Sequence, residues 1–443
     1  MTSVRKRLAI SLCLILWLGL TSVVPRDLRL ISYDPLEPED GEACALPPAT
    51  LVAGELPLRN ILLQTRLAAG TQDASQRKPD RMIRDPYAAY SAVAVDTANN
   101  EVVLTDENLF NIWIYDRGVK TSLNKSTDAK RIIGGLNTKI EFQCGLYIDP
   151  ANGDIYAVNN DTIDTLVIFS RKAIGDVAPD RELHTPHGTF GIAVDEERRE
   201  LFLTVQHDNA IVVYNKSAKG TEAPLRVIQG DDTGLADPHG MALDARRSLL
   251  YVTNHGSSHR VREKESAGAR RRESRPGFPL NRDDAVPGSG KIGPPSITVY
   301  NKDARGNARP LRTIQGPSTQ MNWPTGIAID EDRNLIYIAN DGGNSVLVFD
   351  ASAQADAAPL RVIQGPASLV SNPTGVFLDK KNYELWVANF GNHTSAVYNP
   401  DANGDVAPLR VVRSAPPNQP VPGLGNPHPI AYDTKREEIL VPN

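Results

Sequence analysis

The sequence predicts an all-β fold, a seven-bladed β-propeller, on three observations. An Ala-Pro-Leu-Arg-Val-Ile-Gln-Gly phrase stands whole at 223–230 and 358–365, and seven copies align on Arg81, Arg131, Arg181, Arg226, Arg312, Arg361 and Arg410. A Gly-Ile-Ala-Ile-Asp phrase recurs as often, ending on Asp96, Asp149, Asp195, Asp244, Asp330, Asp379 and Asp433. The period, about 45–55 residues, is that of a radial repeat. Finally, the last unit breaks off after two strands, and two unassigned strands lie at the other end of the chain, at 58–63 and 78–83. Shared between the termini, these would complete a seventh blade and remove exposed sheet edges.

Within one repeat the elements follow from local pattern. Gly326 to Asp330 is an apolar run without polar alternation, as in a strand buried on both faces. Residues 331–334 are a polar turn, 335–339 a second strand, 340–344 a Gly/Asn turn, and 345–349 a third strand. The segment 359–364 is the fourth, opened by a proline that suits an outer edge because it donates no backbone hydrogen bond. Four antiparallel strands make one blade.

What every blade carries is expected to serve every blade. The seven aspartates end first strands and should cap the following turns through their carboxylates. The arginines lie on outer strands and should pair locally. Asn159, Asn254, Asn340, Asn389 and Asn443 each follow the blade aspartate by ten residues and close the second strand. They read first as turn residues, with Asn254, Asn340 and Asn389 kept as candidates for ligand contact on that face.

Around the repeats, the chain has two flanking features. Arg5, Lys6 and Arg7 precede an uncharged apolar stretch from Leu8 to Val24, so 1–24 reads as a signal peptide or a signal anchor. The expected location is extracytoplasmic, released or held at a membrane by this segment. Residues 25–57 read as a linker and 58–443 as the ring. An oxidising compartment would permit a Cys44–Cys144 bridge; a small buried residue is the alternative for Cys144. No Cys-x-x-Cys pair is present, which disfavours thiolate metal binding. Net charge −5 gives no nucleic-acid footprint. Asp244 and Asp330 are 86 residues apart, and the surplus, 257–295, falls between the second and third strands of the fourth blade. It is basic, with a local net of +4, and its composition suits a solvated loop, or a docking segment for an anionic surface. A monomer is expected.

Function should lie where the repeats disagree. The eight histidines, His184, His187, His207, His239, His255, His259, His393 and His428, all fall before first strands or after second strands. Antiparallel geometry puts both loop classes on one face of the disc, where propellers gather ligands. His239 and His428 occupy one register, five residues before the blade aspartate, with His187 near it in an expanded third blade. His207 and His255 approach from neighbouring loops. Three readings are open for His187, His207, His239, His255 and His428: turn residues bonded to backbone, polar contacts to a ligand, or a metal or acid–base cluster. The metal set would be drawn from His187, His239, His255 and His428, with zinc or calcium as the ion; His187, His239 and His255 are the most local trio. No hydrolase elbow, Walker loop or dinucleotide fingerprint is present.

Tyr251-Val-Thr-Asn254, Tyr337-Ile-Ala-Asn340 and Trp386-Val-Ala-Asn389 resemble the signature of YVTN-type bacterial propeller repeats, and Pro324 to Asp330 is similar to NHL-type repeats. The resemblance spans about 58–443 and implies a propeller. It also implies a choice of function. One is a non-catalytic binding or scaffold module that takes a small ligand, polymer or protein on its top face. The alternative is a metal-assisted hydrolase or lyase of the lactonase or amidating-lyase kind, with His187, His239 and His428 in the places of zinc-holding channel histidines.

Overall fold

The structure, a computed structural model, describes residues 85–419 apart from 123–124, 161–162, 261–285 and 287, together with two short strands at 431–433 and 438–440. Six four-stranded antiparallel sheets succeed one another. Blade 1 holds β1 (Tyr90–Asp96), β2 (Glu101–Asp106), β3 (Asn111–Asp116) and β4 (Arg131–Ile133); blade 2 holds β5 (Gln143–Ile148), β6 (Ile155–Asn159), β7 (Thr165–Phe169) and β8 (Arg181–His184). Blade 3 is β9 (Thr189–Asp195), β10 (Glu200–Val205), β11 (Ala210–Asn215) and β12 (Arg226–Gln229). In blade 4, β13 (Pro238–Asp244) and β14 (Leu249–Asn254) are separated from β17 (Ser296–Asn301) and β18 (Arg312–Ile314) by the insertion, which begins and ends on a ribbon of β15 (Ser257–Ser258) and β16 (Lys291–Ile292). Blade 5 is β19 (Pro324–Asp330), β20 (Leu335–Asn340), β21 (Ser345–Asp350) and β22 (Arg361–Ile363). Blade 6 is β23 (Pro373–Asp379), β24 (Glu384–Asn389), β25 (Thr394–Tyr398) and β26 (Arg410–Arg413). Beyond it, β27 (Ala431–Asp433) and β28 (Glu438–Leu440) pair with each other.

The expected seventh blade is corrected by how the ring closes. Inner strands of successive blades approach so closely that glycine holds one position in five of the six blades, with Ala92 standing there in the first. A Cβ on Gly326 would lie 2.7 Å from the Thr374 carbonyl oxygen, and one on Gly375 would lie 2.9 Å from Ala92 Cα and the Ser91 carbonyl oxygen. Blade 6 thus meets blade 1 as blade 5 meets blade 6. One apolar cluster spans the seam, joining Tyr90, Leu104 and Tyr115 to Trp386, Ala388, Val397 and Val412. Thr374 Oγ1 donates to the Tyr90 carbonyl at 3.2 Å, and the Thr127 amide donates to the Arg413 carbonyl at 2.7 Å. Six repeats therefore complete the circle among the described residues. The proposed N-terminal strands at 58–63 and 78–83, the signal segment and the linker lie outside those residues.

The residues shared by all blades hold neighbouring blades together. Asp96 accepts from the amides of Ala98 and Asn99, and Asp330 from those of Asp332 and Arg333, as turn caps. Asp149 and Asp195 also receive Lys216 Nζ at 2.7 Å and Lys302 Nζ at 2.5 Å, each lysine from the following blade. The outer-strand arginines reach forward in the same way. Arg181 donates to the carbonyls of Lys216 and Ala218, Arg226 to that of Lys302, Arg312 to that of Ala351, and Arg361 to that of Pro400. At the seam Arg410 reaches the Arg117 carbonyl. The aromatic residue that opens the Tyr-Val-Thr-Asn phrase is their platform: Arg312 lies over the Tyr251 ring at 5.5 Å and Arg410 over Trp386 at 5.6 Å.

Candidate ligand site at the channel mouth

Three registers of each blade come together at the end where the first strand begins and the second strand ends, and they are where the blades differ. The first lies two residues before the histidine register and is held by a backbone bond from the residue that follows the second strand: Glu107 N to Ala89 O, Asn160 N to Phe142 O, Gln206 N to Gly188 O, His255 N to Asp237 O, Asp341 N to Trp323 O, and Phe390 N to Asn372 O. The donors of these bonds form the second register. The third is Ser91, Cys144, Phe190, His239, Thr325 and Thr374. None of these eighteen residues is Lys or Arg, whereas Glu107, Asp237 and Asp341 are acidic.

Blades 3 to 5 carry the densest part. Phe190, His239, His255 and Trp323 follow one another in a row with ring-centre separations of 4.3, 3.3 and 5.1 Å, the first pair tilted and the last three rings stacked. The row ends in Trp323, 57% exposed and in the left-handed region at φ 52°. A bulky residue seldom adopts that conformation, and here the turn imposes it, since Gly188, Asp237 and Asn372 share it in their own blades. His239 is buried. Its Nε2 faces Gln206 Nε2 at 2.5 Å and its Nδ1 faces the Asp237 carbonyl at 3.0 Å. Gln206 Oε1 accepts from Asn160 Nδ2 at 2.8 Å, so its amide nitrogen donates to the His239 Nε2 lone pair and the imidazole proton sits on Nδ1. His255 Nδ1 lies 3.8 Å from Asp237 Oδ2, and its Nε2 has only a 3.5 Å contact with Thr325 Oγ1.

Burial sets the charge states. Removal from water pushes His239 down to about 3 and His255 down to about 2, so both imidazoles are neutral at pH 7. Burial pushes Asp237 up to about 6. Glu107 is pushed up to about 8, by burial first and then by the nearby charges of Asp106 and Asp341, despite a bond from the Cys144 thiol. Asp341 is also raised by burial. The mouth is thus a set of carboxyl groups without a cationic side chain beside them in these registers.

The other candidates from the sequence are distributed as follows. His187 Nδ1 lies 2.9 Å from Asp164 Oδ1, and its ring packs on His207 at 5.0 Å, beside the His239 group in blade 3. His187, His239 and His255 do not form one ligand set; Asp237 stands where the trio had His187. Asn254, Asn340 and Asn389 are buried, with amides committed to the protein. Asn340 Oδ1 accepts from the Asn322 amide, while its Nδ2 donates to Gln320 O and Ser345 Oγ. Asn254 bonds Ala236 and Thr298, and Asn389 bonds Ser371 and Thr394. His393 is also buried, between the Ala88 carbonyl and Asp85, where it anchors the start of blade 1 to blade 6. His259 belongs to the stem of the insertion, 3.1 Å from Asn209. Cys144 is buried; Cys44 and His428 lie outside the described residues. Asp237, Trp323, Glu107 and Asp341 escaped the sequence reading. Their signal was present as blade-to-blade variation two residues before, and sixteen residues after, the histidine register.

No family model and no curated protein matches the chain, so its likeness to YVTN and NHL repeats stays one of motifs. Among solved structures it is similar to Kuenenia stuttgartiensis hydrazine synthase at 11% identity and a TM-score of 0.46, over 74% of this chain and 100% of that one. The β-propeller assignment rests on the six sheets themselves.

Proposed function

We propose that this propeller is a binding module, and that its top-face channel mouth receives a small cationic ligand. The observation that carries the reading is the composition of the three variable registers: three carboxyl groups, no Lys or Arg, and an exposed Trp323 ring at the edge. A cation would find carboxylates there to ionise and pair with, and an indole face for cation–π contact. The blade scaffold supplies rigidity, and the variable registers supply recognition. We also place the module outside the cytoplasm, from the basic and apolar pattern of residues 5–24.

The test is quenching of tryptophan fluorescence by spermidine, with citrate as the anionic control. Wild type should respond saturably to spermidine alone, and Trp323→Phe should lose most of the signal. A saturable response to citrate, or none to spermidine, would contradict the reading.

A further inference from the structure

We propose that Asp237, His239 and His255 form a binding site for one divalent transition-metal ion of the zinc class. Their potential ligand atoms all lie within 4.8 Å of one another, and this is the group of three with that property among the described residues. Asp237 Oδ1 is 3.6 Å from His239 Nδ1, and Asp237 Oδ2 is 3.8 Å from His255 Nδ1. Ligands about 2.0–2.1 Å from a tetrahedral ion sit roughly 3.3–3.5 Å apart, so contraction by a few tenths of an ångström brings these pairs to coordinating separation. Two imidazoles and one carboxylate select zinc, cobalt, nickel or copper over calcium, which prefers an all-oxygen shell. All three residues come from blade 4, Asp237 just before β13, His239 within it and His255 just after β14, so one hairpin supplies the set.

The stacked rings define what must move. With ring centres 3.3 Å apart and planes inclined by 22°, the two imidazoles lie nearly parallel, so one ring must turn before both can aim Nδ1 at one ion. Of the two rings, His255 is the less restrained, since its Nε2 has only the long Thr325 contact. Turning His255 toward Asp237 opens the stack. On His239 the proton passes from Nδ1 to Nε2, and the Gln206 amide turns its oxygen to receive it, giving up its bond from Asn160, which keeps its bond to the Thr189 carbonyl. The imidazole stays neutral before and after, and Gln206 becomes the outer hydrogen-bond partner that orients a metal-bound histidine.

This proposal goes beyond the cationic-ligand reading and shares only Asp237 with it; the metal's own absorbance tells the two apart. The experiment is titration of the full-length, chelator-stripped chain with Co2+, followed in the visible range, then competition with Zn2+. One Co2+ per chain is expected, displaced by Zn2+, with affinity at least tenfold weaker in Asp237→Asn and in His255→Gln and unchanged in His187→Ala. Thermal unfolding of each variant checks that the fold persists. Should His255→Gln unfold, Asp237→Asn, whose side chain is partly exposed, decides alone. Absence of saturable Co2+ absorbance in wild type, or unchanged affinity in Asp237→Asn, would overturn the proposal.

Discussion

Gly375 of the sixth blade lies against Ala92 of the first, with 2.9 Å between the place a Cβ would take and the Ala92 Cα. This contact closes the ring at six blades. Gly375→Ala is expected to cost about 1–3 kcal/mol, the usual range for overpacking a core, because the atom it meets is backbone and cannot swing aside. Chemical denaturation would show it as a lower midpoint at unchanged slope. A variant as stable as wild type would mean that the seam is looser than described.

The same closure bears on the ends of the chain. A fragment spanning 85–419 is expected to be monomeric and to unfold cooperatively, because all six sheets and the seam lie within it. Sedimentation and calorimetry decide this. An aggregated or unfolded fragment would show that flanking residues are needed to complete the ring.

Glu101 provides a pH dependence. It is buried, which alone would raise its pKa, but hydrogen bonds from Arg131 and Lys130 outweigh burial and hold it down to about 2, from 4.5. A depressed carboxyl contributes stability that is present above 4.5 and is lost as pH falls toward 2. The full shift corresponds to about 3 kcal/mol, and solvent screening of the pair lowers the amount at stake to about 2 kcal/mol. Glu101→Gln should therefore lower stability at pH 7 and flatten the loss between pH 4.5 and pH 2. An identical acid profile in variant and wild type would contradict the assignment.

The insertion of blade 4 gives a contrasting expectation. Replacing 258–294 by Gly-Asn should shift Tm by no more than about 2 °C, since loop-closure entropy changes slowly with length. A fall of many degrees would mean that the segment packs on the ring.

Much of the fold was legible because a repeat exposes its own logic. Asp96 and Asp330 cap turns as their position after an apolar strand implied, and the insertion fell between the strands assigned to it. The blade count was misread because Asp433 and Arg81 complete seven sets of phrases, and phrase counting is blind to whether Gly375 meets Ala92 or another strand. The arginines do pair locally, Arg131 with Glu101, Arg226 with Glu200 and Arg410 with Glu384, but several also reach a carbonyl in the next blade, some 35–40 residues on in most blades and 76 on where the insertion intervenes. Histidine register led to the His239–His255 pair. It could not distinguish His239, stacked on His255, from His393, buried at the seam, because both precede or follow strands in the same way. Trp323 and Asp237 went unnoticed because a single sequence reads them as turn residues, which they also are.

The most direct measurement of the central claim is the calorimetric Kd for spermidine, at fixed ionic strength, in wild type and in a Glu107→Gln/Asp341→Asn double variant. Both carboxyls are raised by burial and lie in the registers that lack Lys and Arg, so their neutralisation removes cation pairing while preserving shape. The account expects binding at least tenfold weaker with Tm equal to or above that of wild type. Equal affinity in the two proteins would contradict it.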